Sequence, residues 1–495
     1  MQNDSMKKGV QEILDSLNNS PSGPPVPGRT GDGGIYFVGI GGIGMSALAR
    51  YFNAKKIAVS GYDKTATVLT RQLESEGIKV HYEDNIELID KYAQLVVYTP
   101  AIPKDHKGLN YYLQNNYTVV KRSDVLGAIT NSSFNICVAG THGKTTTSTM
   151  VAHILRHSGF GCNAFLGGIA VNYNSNFWSQ IPDPSGSNEK NVCVVEADEY
   201  DRSFLKLNPD VAIITAMDPD HLDIYGTAEN VEQAFIDFSA KIKPGGLLVN
   251  KYGLARGTEL KGDDKQTYHL QNENADVHAD NIKMNNGSYL FDVVQKNPMA
   301  MGWVLKDVVL NMGGMHNIEN VIAAITVAHH LNIDDEKIKN AVADFKGIKR
   351  RFEYIIKEDK QVFIDDYAHH PEELKALISG AKKLFPEKKC TVIFQPHLYT
   401  RTRDFADGFA ESLDLADEVM LLPIYPAREL PIEGVTSEMI LGKMKNKNIS
   451  VKTKEGLLEW TKNNKVELLI TAGAGDIDTM VEPIKKILTN NINKI

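Results

Sequence analysis

The stretch FNICVAGTHGKTTT (134–147) decides how this chain is read: a β-branched and apolar run breaks at Gly140 into a short loop, and a helix-compatible run begins at Lys144. In such a strand–loop–helix unit, successive backbone N–H groups point inward and the helix adds its positive end, so the loop can hold a polyanionic phosphate. Gly140, Thr141, His142 and Gly143 would form the cradle and Thr146 would follow on the helix. Lys144 would be a point charge for the outer phosphates, and the Thr145 hydroxyl a ligand for Mg²⁺. The longer GxxxxGK[ST] pattern would put a glycine at Val138, so this is a shortened GTHGKT form. A plain glycine turn between strand and helix is the alternative that other residues must decide.

Two acidic clusters downstream favour nucleotide chemistry. VCVVEADEYD (192–201) puts Glu196, Asp198 and Glu199 at the end of an apolar strand, and VAIITAMDPDHLD (211–223) puts Asp218, Asp220, His221 and Asp223 at the end of another. Ligands of parallel α/β sheets bind outside these carboxyl ends. A carboxylate there can hold Mg²⁺ against phosphates, although acids also favour turns and helix caps.

Upstream, IYFVGIGGIGMSALARYF (35–52) reads as strand, glycine turn and helix, with IAVSGYD (57–63) as the next strand. Gly39, Gly41 and Gly44 satisfy GxGxxG, and Asp63 ends the second strand where an acid can meet a ribose. The fingerprint fits a nicotinamide cofactor, but the same loop can hold the pyrophosphate of any nucleotide diphosphate. AQLVVYTPAI and YTVVKRS continue the strand rhythm to about 132.

Beyond the second loop, GGMHNIENVIAAITVAHHL (313–331) has helical periodicity after two glycines and puts His316, Asn317 and Asn320 in its first turn, where an amide can read an adenine edge or simply cap the helix. GIKRRFE (347–353) carries Arg350 and Arg351 before a strand. The final third repeats the α/β rhythm at VFIDDY, CTVIFQP, EVMLLPI and VELLITAGAGD, with Asp366, Tyr367, His369 and His370 at one strand end and His397, Arg401 and Arg403 at the next. Adjacent histidines are not a metal-ligand spacing, so no metal is expected at 369–370.

A chain of 495 residues exceeds one core, so about three domains are expected. The net charge of −8 argues against nucleic acid as the main partner. Cys137, Cys162, Cys193 and Cys390 lack paired spacings and read as buried thiols in a reducing cytosol. No apolar run approaches the ~18 residues of a spanning helix, so no membrane insertion and a cytoplasmic location are expected. Residues 1–34 read as a flexible leader, with a short amphipathic stretch at 10–17 giving way to Pro, Gly and Ser.

Taken together the motifs resemble the Mur ligase family, and within it the branch adding L-alanine to UDP-N-acetylmuramate. The resemblance runs from Ile35 to the C-terminus through GIGGIGMS, GTHGKTTT, EADE, DHLD, GMHNIEN, KRRFE, DDYAHHP, FQPHLYTRTRDF, YPARE and GAGDI. It implies an α/β protein of three domains: a Rossmann-like UDP-substrate domain at 35–132, a P-loop ATPase-type domain with a parallel sheet at 133–346, and a Rossmann-like domain at 347–495 that closes over ATP. It further implies an acyl-phosphate mechanism with ATP and Mg²⁺, in a monomer or weak dimer. By resemblance Gly41, Gly42, Ile43 and Gly44 would face the UDP pyrophosphate and Asp63 the uridine. Lys144 and Thr145 would grip the β,γ-phosphates and Mg²⁺, Glu196 would bridge metals, and His221 would hold a second Mg²⁺. His316, Asn317 and Asn320 would recognise adenine, Arg351 the phosphates and Asp366 the ribose, while Tyr367, His369 and Arg401 would line the amino-acid end. Leu398 replaces an arginine that many relatives carry after FQPH, which leaves Arg401 or Arg403 to bind the amino-acid carboxylate. Ile236 stands where sister ligases have a carbamylated lysine, an absence shared with the alanine-adding branch. A recycling ligase that attaches a tripeptide to the same sugar nucleotide, a dehydrogenase and a non-catalytic nucleotide-gated scaffold are the competing readings.

Overall fold

The computed structural model describes residues 34–180, 191–296, 302–427 and 429–492, together with Glu12. The leader expected at 1–34 therefore lies outside the described residues, apart from Glu12 and Gly34. Three sheets succeed one another along the chain. The first contains β1 (Ile35–Val38), β2 (Val59–Tyr62), β3 (Lys79–His81), β4 (Leu95–Tyr98) and β5 (Val119–Lys121) in the order β3-β2-β1-β4-β5. All its pairs are parallel, and β1 is wholly buried, as its unbroken apolar sequence requires.

The second sheet has ten strands: β6 (Phe134–Ala139), β7 (Asn163–Ala170), β8 (Ser175–Trp178), β9 (Val192–Glu196), β10 (Val211–Ile214), β11 (Leu247–Lys251), β12 (Asp264–His269), β13 (Val277–Asn285), β14 (Ser288–Gln295) and β15 (Val304–Leu310). Their order is β15-β14-β13-β12-β11-β10-β6-β9-β7-β8. The expected parallel sheet is present from β7 to β13, and antiparallel strands extend it at both edges, β8 on one side and β14 and β15 on the other. β6, β9 and β10 lie side by side at its centre, so the three sequence clusters at their carboxyl ends open onto one edge of the sheet.

The third sheet runs β16-β17-β21-β18-β19-β20, from β16 (Glu353–Lys357), β17 (Val362–Asp366), β18 (Cys390–Phe394), β19 (Glu418–Leu421), β20 (Ile449–Val451) and β21 (Leu468–Ala472). Four of its six strands were expected. β16, antiparallel to β17, and the three-residue β20 are short, mostly half-buried edge strands, which is why the sequence does not set them apart. All four cysteines are buried free thiols. Among the described residues no helix is long and apolar enough to cross a membrane.

The hairpin of β7 and β8 ties the parts together through asparagines at alternate positions. Asn176 is fully buried; its Nδ2 donates to Ile43 O (2.5 Å) and Ser46 Oγ (3.0 Å) on the first sheet's leading helix, and its Oδ1 accepts from Arg50 Nη1. Arg50 in turn grips Glu76 at 2.7 Å. At the turn, Asn174 O accepts from Gln72 Nε2 and its Oδ1 accepts from Lys349 Nζ, while Asn172 Oδ1 accepts from Lys346 N. One hairpin thus contacts the first sheet's helices and the segment leading into the third sheet. Asn176→Ala removes one of the donors to Ile43 O, which keeps the Ser46 hydroxyl, and leaves one edge of the Arg50 guanidinium unpaired in the interior. It is expected to cost about 2 kcal/mol, read as a lowered urea midpoint at unchanged far-UV circular dichroism.

Candidate functional site

The phosphate loop sits where β6 ends. Val138 is an interior strand residue paired with Glu196 and Ile213, which is why no glycine stands there. Gly140 has φ +137°, and a Cβ on it would lie 2.1 Å from Thr215 Oγ1, so no other residue fits. Thr215 Oγ1 also bonds His142 O and lies 3.2 Å from Ala139 O, while Thr141 Oγ1 accepts from Asp218 N at 3.2 Å. The loop is therefore braced from β10, by a threonine that its own sequence does not point to. Thr145 and Thr146 are buried in the first turn of the helix Lys144–His157, and His142 is exposed.

Lys144 Nζ donates to Gly140 O (2.7 Å) and to Glu199 Oε1 (2.8 Å). Glu199 is only 2 % exposed, and its Oε2 has no partner. His221 Nε2 lies 3.9 Å from Glu199 Oε1 and 3.8 Å from Asp220 Oδ2. Glu199, Asp220 and His221 each bring a ligand atom within 4.8 Å of the others, and the Asp223 side chain lies outside the described residues. His221 has φ +51°, a left-handed backbone that a non-glycine residue holds only under constraint. The expected metal trio is thus divided: Glu196 is beside Thr145, whereas His221 faces Glu199. Glu196 Oε2 accepts from Gly167 N (3.0 Å). Burial raises its carboxyl, against Lys144 and the Thr145 hydroxyl, which pull it down.

The glycine loop after β1 arrives at the same place. Asp63, expected near uridine, spends one carboxylate oxygen on the glycine loop, accepting from Gly41 N (2.8 Å), and the other on its own turn, accepting from Thr65 N (3.3 Å). Arg122, the first residue of the helix Arg122–Asn131 after β5, packs so closely that a Cβ on Gly44 would lie 2.3 Å from its Nη1, and its Nη2 donates to Asp198 Oδ2 at 3.2 Å. Ile43, Gly44, Arg122, Gly167, Glu196 and Asp198 line one cavity of about 100 Å³. Arg122 escapes sequence reasoning because its partner is 76 residues away and no motif contains it.

A larger cavity of about 1090 Å³ lies between the second and third sheets, lined among others by Thr146, His316, Asn317, Arg351, Asp366 and His369. Asn317 and Asn320 are buried at the start of the helix Met315–His330; Asn317 Nδ2 donates to Gly313 O and Asn320 Nδ2 to Asn317 Oδ1, while Asn320 Oδ1 faces Gly143. Asp366 Oδ2 accepts from Phe352 N (2.6 Å) and Oδ1 from Ala368 N (2.7 Å), and burial pushes its carboxyl up to about 6. Of the two adjacent arginines, Arg350 turns inward to Asp365 and Gly473 O, and its guanidinium lies 5.1 Å from the Tyr367 ring.

Further along that rim stand Tyr367, His369 and His397, with ring centroids 5.2 Å and 6.3 Å apart in turn. His369 Nδ1 lies 3.0 Å from Tyr367 O; a carbonyl only accepts, so Nδ1 carries a proton and, in the neutral ring, Nε2 is the acceptor. Arg401 Nη1 approaches His397 Nδ1 at 3.4 Å, whereas Arg403 is half exposed and paired with its neighbour Asp404. Burial, then Arg401 and His369, lower the His397 pKa. Arg401, not Arg403, is thus the guanidinium beside these rings. Arg428 of YPARE lies outside the described residues. Ile236 is buried in the helix Ala228–Ser239.

Known proteins match this arrangement along nearly the whole chain. Residues 34–134 fit the description "Mur ligase family, catalytic domain", 138–328 "Mur ligase middle domain" and 350–476 "Mur ligase, glutamate ligase domain". The chain is 48% identical over 462 residues to the UDP-N-acetylmuramate–L-alanine ligase of Flavobacterium johnsoniae, covering 92% of this chain and 98% of that protein. It is 49% identical over 466 residues to the enzyme of the same name from Parabacteroides distasonis, covering 93% and 98%. Among solved structures, UDP-N-acetylmuramate-alanine ligase of Thermotoga maritima superposes with a TM-score of 0.75 at 27% identity, over 93% of this chain and all of that one. A murein peptide ligase from Psychrobacter arcticus shares the fold, with a TM-score of 0.63 at 22% identity over 92% and 98%. With three domain descriptions matched in order and relatives near half identity across their length, the chain belongs to the Mur ligase family.

Proposed function

We propose that this chain joins L-alanine to UDP-N-acetylmuramate at the expense of ATP, in peptidoglycan precursor synthesis, as a cytoplasmic monomer or weak dimer. One observation carries the reading: the glycine loop of the first sheet and the strand end holding Glu196 line the same cavity, and Glu196 in turn meets the Thr145 hydroxyl at the end of the phosphate loop. A sugar nucleotide held on one loop and a triphosphate on the other would meet there. The proposed division of labour assigns 35–132 to the sugar nucleotide, 133–346 to ATP and 347–495 to the amino acid.

Gly41, Gly42, Ile43 and Gly44 would present N–H groups to the UDP pyrophosphate, with Arg122 adding positive charge, while Asp63 fixes the loop and stands toward the uridine. The cradle Gly140–Gly143 with Thr146 would hold the phosphates, and Lys144 would exchange Glu199 for them. His316, Asn317 and Asn320 would read adenine, Asp366 the ribose and Arg351 the phosphates. The donor set suits Mg²⁺: hard oxygens from Thr145, Glu196 and Glu199, with the orphaned Glu199 Oε2 and the neighbouring Asp220 and His221 for a second ion. When bound, Mg²⁺ supplies charge neutralisation as phosphoryl transfer proceeds. The substrate carboxylate attacks the γ-phosphorus and ADP departs, leaving an acyl phosphate. The alanine amine then attacks the acyl carbon, and phosphate leaves from the tetrahedral adduct to give the amide. Arg401 would hold the alanine carboxylate, Tyr367 would flank it, and His369 Nε2 would take the ammonium proton.

Phosphate release from ATP, Mg²⁺ and UDP-N-acetylmuramate tests the reading directly. L-alanine should support it and a tripeptide amine should not; the reverse result makes the chain a recycling ligase, and release with neither removes the ligase reading. The metal assignment has its own test. A Cβ on Gly167 would lie 2.2 Å from Glu196 Oε2, so Gly167→Ala should displace that carboxylate and raise the Mg²⁺ needed for half-maximal rate about tenfold. An unmoved Mg²⁺ titration in a folded variant would clear Glu196 of the role. Finally, Asp366 accepts a ribose hydroxyl best as the carboxylate. Because its carboxyl sits at about 6, KM for ATP should rise as pH falls through about 6, and Asp366→Asn should abolish that rise, as measured from pH-dependent KM profiles.

A further inference from the structure

The helix carrying Arg401, Tyr399–Asp404, is only six residues long and begins badly. Its N-cap, Leu398, has φ +72° and ψ +136° and offers no side-chain acceptor to the first N–H groups. A helix this short, started by an apolar residue in the left-handed half of backbone space, is not stable by itself. The acceptor comes from 29 residues away: Glu429 Oε2 accepts from Thr400 N at 2.9 Å, and Glu429 Oε1 accepts from the Thr400 hydroxyl. The two segments are also joined by main chain. Leu398 N donates to Tyr425 O (2.9 Å) and Tyr425 N to Pro396 O (2.8 Å), and the Tyr425 ring lies nearly parallel to His397 at 5.8 Å.

We propose that Glu429 is a positioning residue for amino-acid binding: by clamping Thr400 it holds the Tyr399–Asp404 helix so that Arg401 points beside His397 and His369. The inference rests on the reading of Arg401 as the carboxylate contact. Arg403 cannot substitute from its pairing with Asp404, so the aim of one guanidinium governs affinity for the small substrate. Glu429 has both oxygens committed to Thr400, which sets it apart from a group waiting for the substrate amine.

The test compares wild type, Glu429→Ala, Glu429→Gln, Thr400→Val and the double variant Glu429→Ala/Thr400→Val as full-length enzymes. A clamp predicts that Glu429→Ala raises KM for L-alanine about tenfold, with kcat and KM for ATP within about twofold. Glu429→Gln can still accept from Thr400 N and donate to its hydroxyl, so it should recover most of the affinity. Thr400→Val should raise KM for L-alanine on its own, and the double variant should be no worse than Glu429→Ala, because both remove one interaction. Amide hydrogen exchange over 397–405 should quicken in Glu429→Ala while the third sheet keeps its protection. If Glu429→Gln is as poor as Glu429→Ala and Thr400→Val is silent, the carboxylate touches substrate and the clamp is wrong. Unchanged exchange over 397–405 also overturns it, and that readout holds whichever amine the enzyme takes. Absence of alanine turnover in wild type would count against the functional reading, not against the clamp.

Discussion

The ion pair of Lys144 with Glu199 organises this site. A carboxylate that is 2 % exposed is tolerated in a protein interior only beside a cation, and the nearest ammonium belongs to the phosphate loop itself. Lys144 also bonds Gly140 O, so the lysine that would meet phosphate is drawn back across the loop and fixes its curvature. Glu199 Oε2 remains unpartnered, and the His221 and Asp220 side chains gather around the same carboxylate. A loop preset in this way is held by charge from one side and by the Thr215 hydroxyl from the other, so an anion entering it meets N–H groups already oriented.

Long-range order comes from the β7–β8 hairpin. Asparagine is suited to this work because one amide donates and accepts at once. Asn176 uses that capacity between Ile43 O and Arg50, and Asn174 uses its main chain and side chain on two different neighbours. The first bond falls on the carbonyl of a residue in the glycine loop, and the second on Lys349, two residues before Arg351. The loop that faces the small cavity and the segment that opens the third sheet are therefore braced against the same hairpin, one by β8 and the other by its turn.

How far the sequence discloses this depends on the distance over which each interaction acts. β1 and β10 are unbroken apolar runs, and β6, β9 and β21 are mostly apolar and mostly buried, so burial makes them visible, and the loops after β1 and β6 carry local glycine chemistry. In the antiparallel extension, β13 and β15 mix exposed lysine, asparagine and aspartate with buried residues without regular alternation, and β16 and β20 are short edges, so propensity does not separate them from loops. In VNYNSN (171–176), the turn and first residues of β8, nothing local shows that the asparagines reach residues more than 100 positions away. The same holds for Arg122 and Asp198. Glu199 was visible as one of three acids at a strand end; that it, rather than Glu196, faces His221 depends on backbone direction after β9, where Asp201 and Arg202 both take positive φ.

The adjacent arginines 350 and 351 show how backbone geometry settles what sequence leaves open. The segment entering the third sheet holds Gly347 at φ +89°, Arg350 at +59° and Phe352 at +48°. Two non-glycine residues in the left-handed region within three positions require strong external constraints, and these are visible: Arg350 N donates to Glu353 Oε2, Phe352 N donates to Asp366 Oδ2, and Tyr367 N donates to Arg350 O. The reversals turn consecutive side chains apart. Arg350 is consumed inside the third domain, against Asp365, whose carboxyl burial pushes up to about 7 despite that partner. Arg351 is left at the wall of the large cavity, opposite Thr146 and the N-terminus of the helix Met315–His330. Arg350 touches the same cavity wall, but its guanidinium is tied to Asp365 and Gly473 O, so the two arginines differ in their partners rather than in the cavity they face.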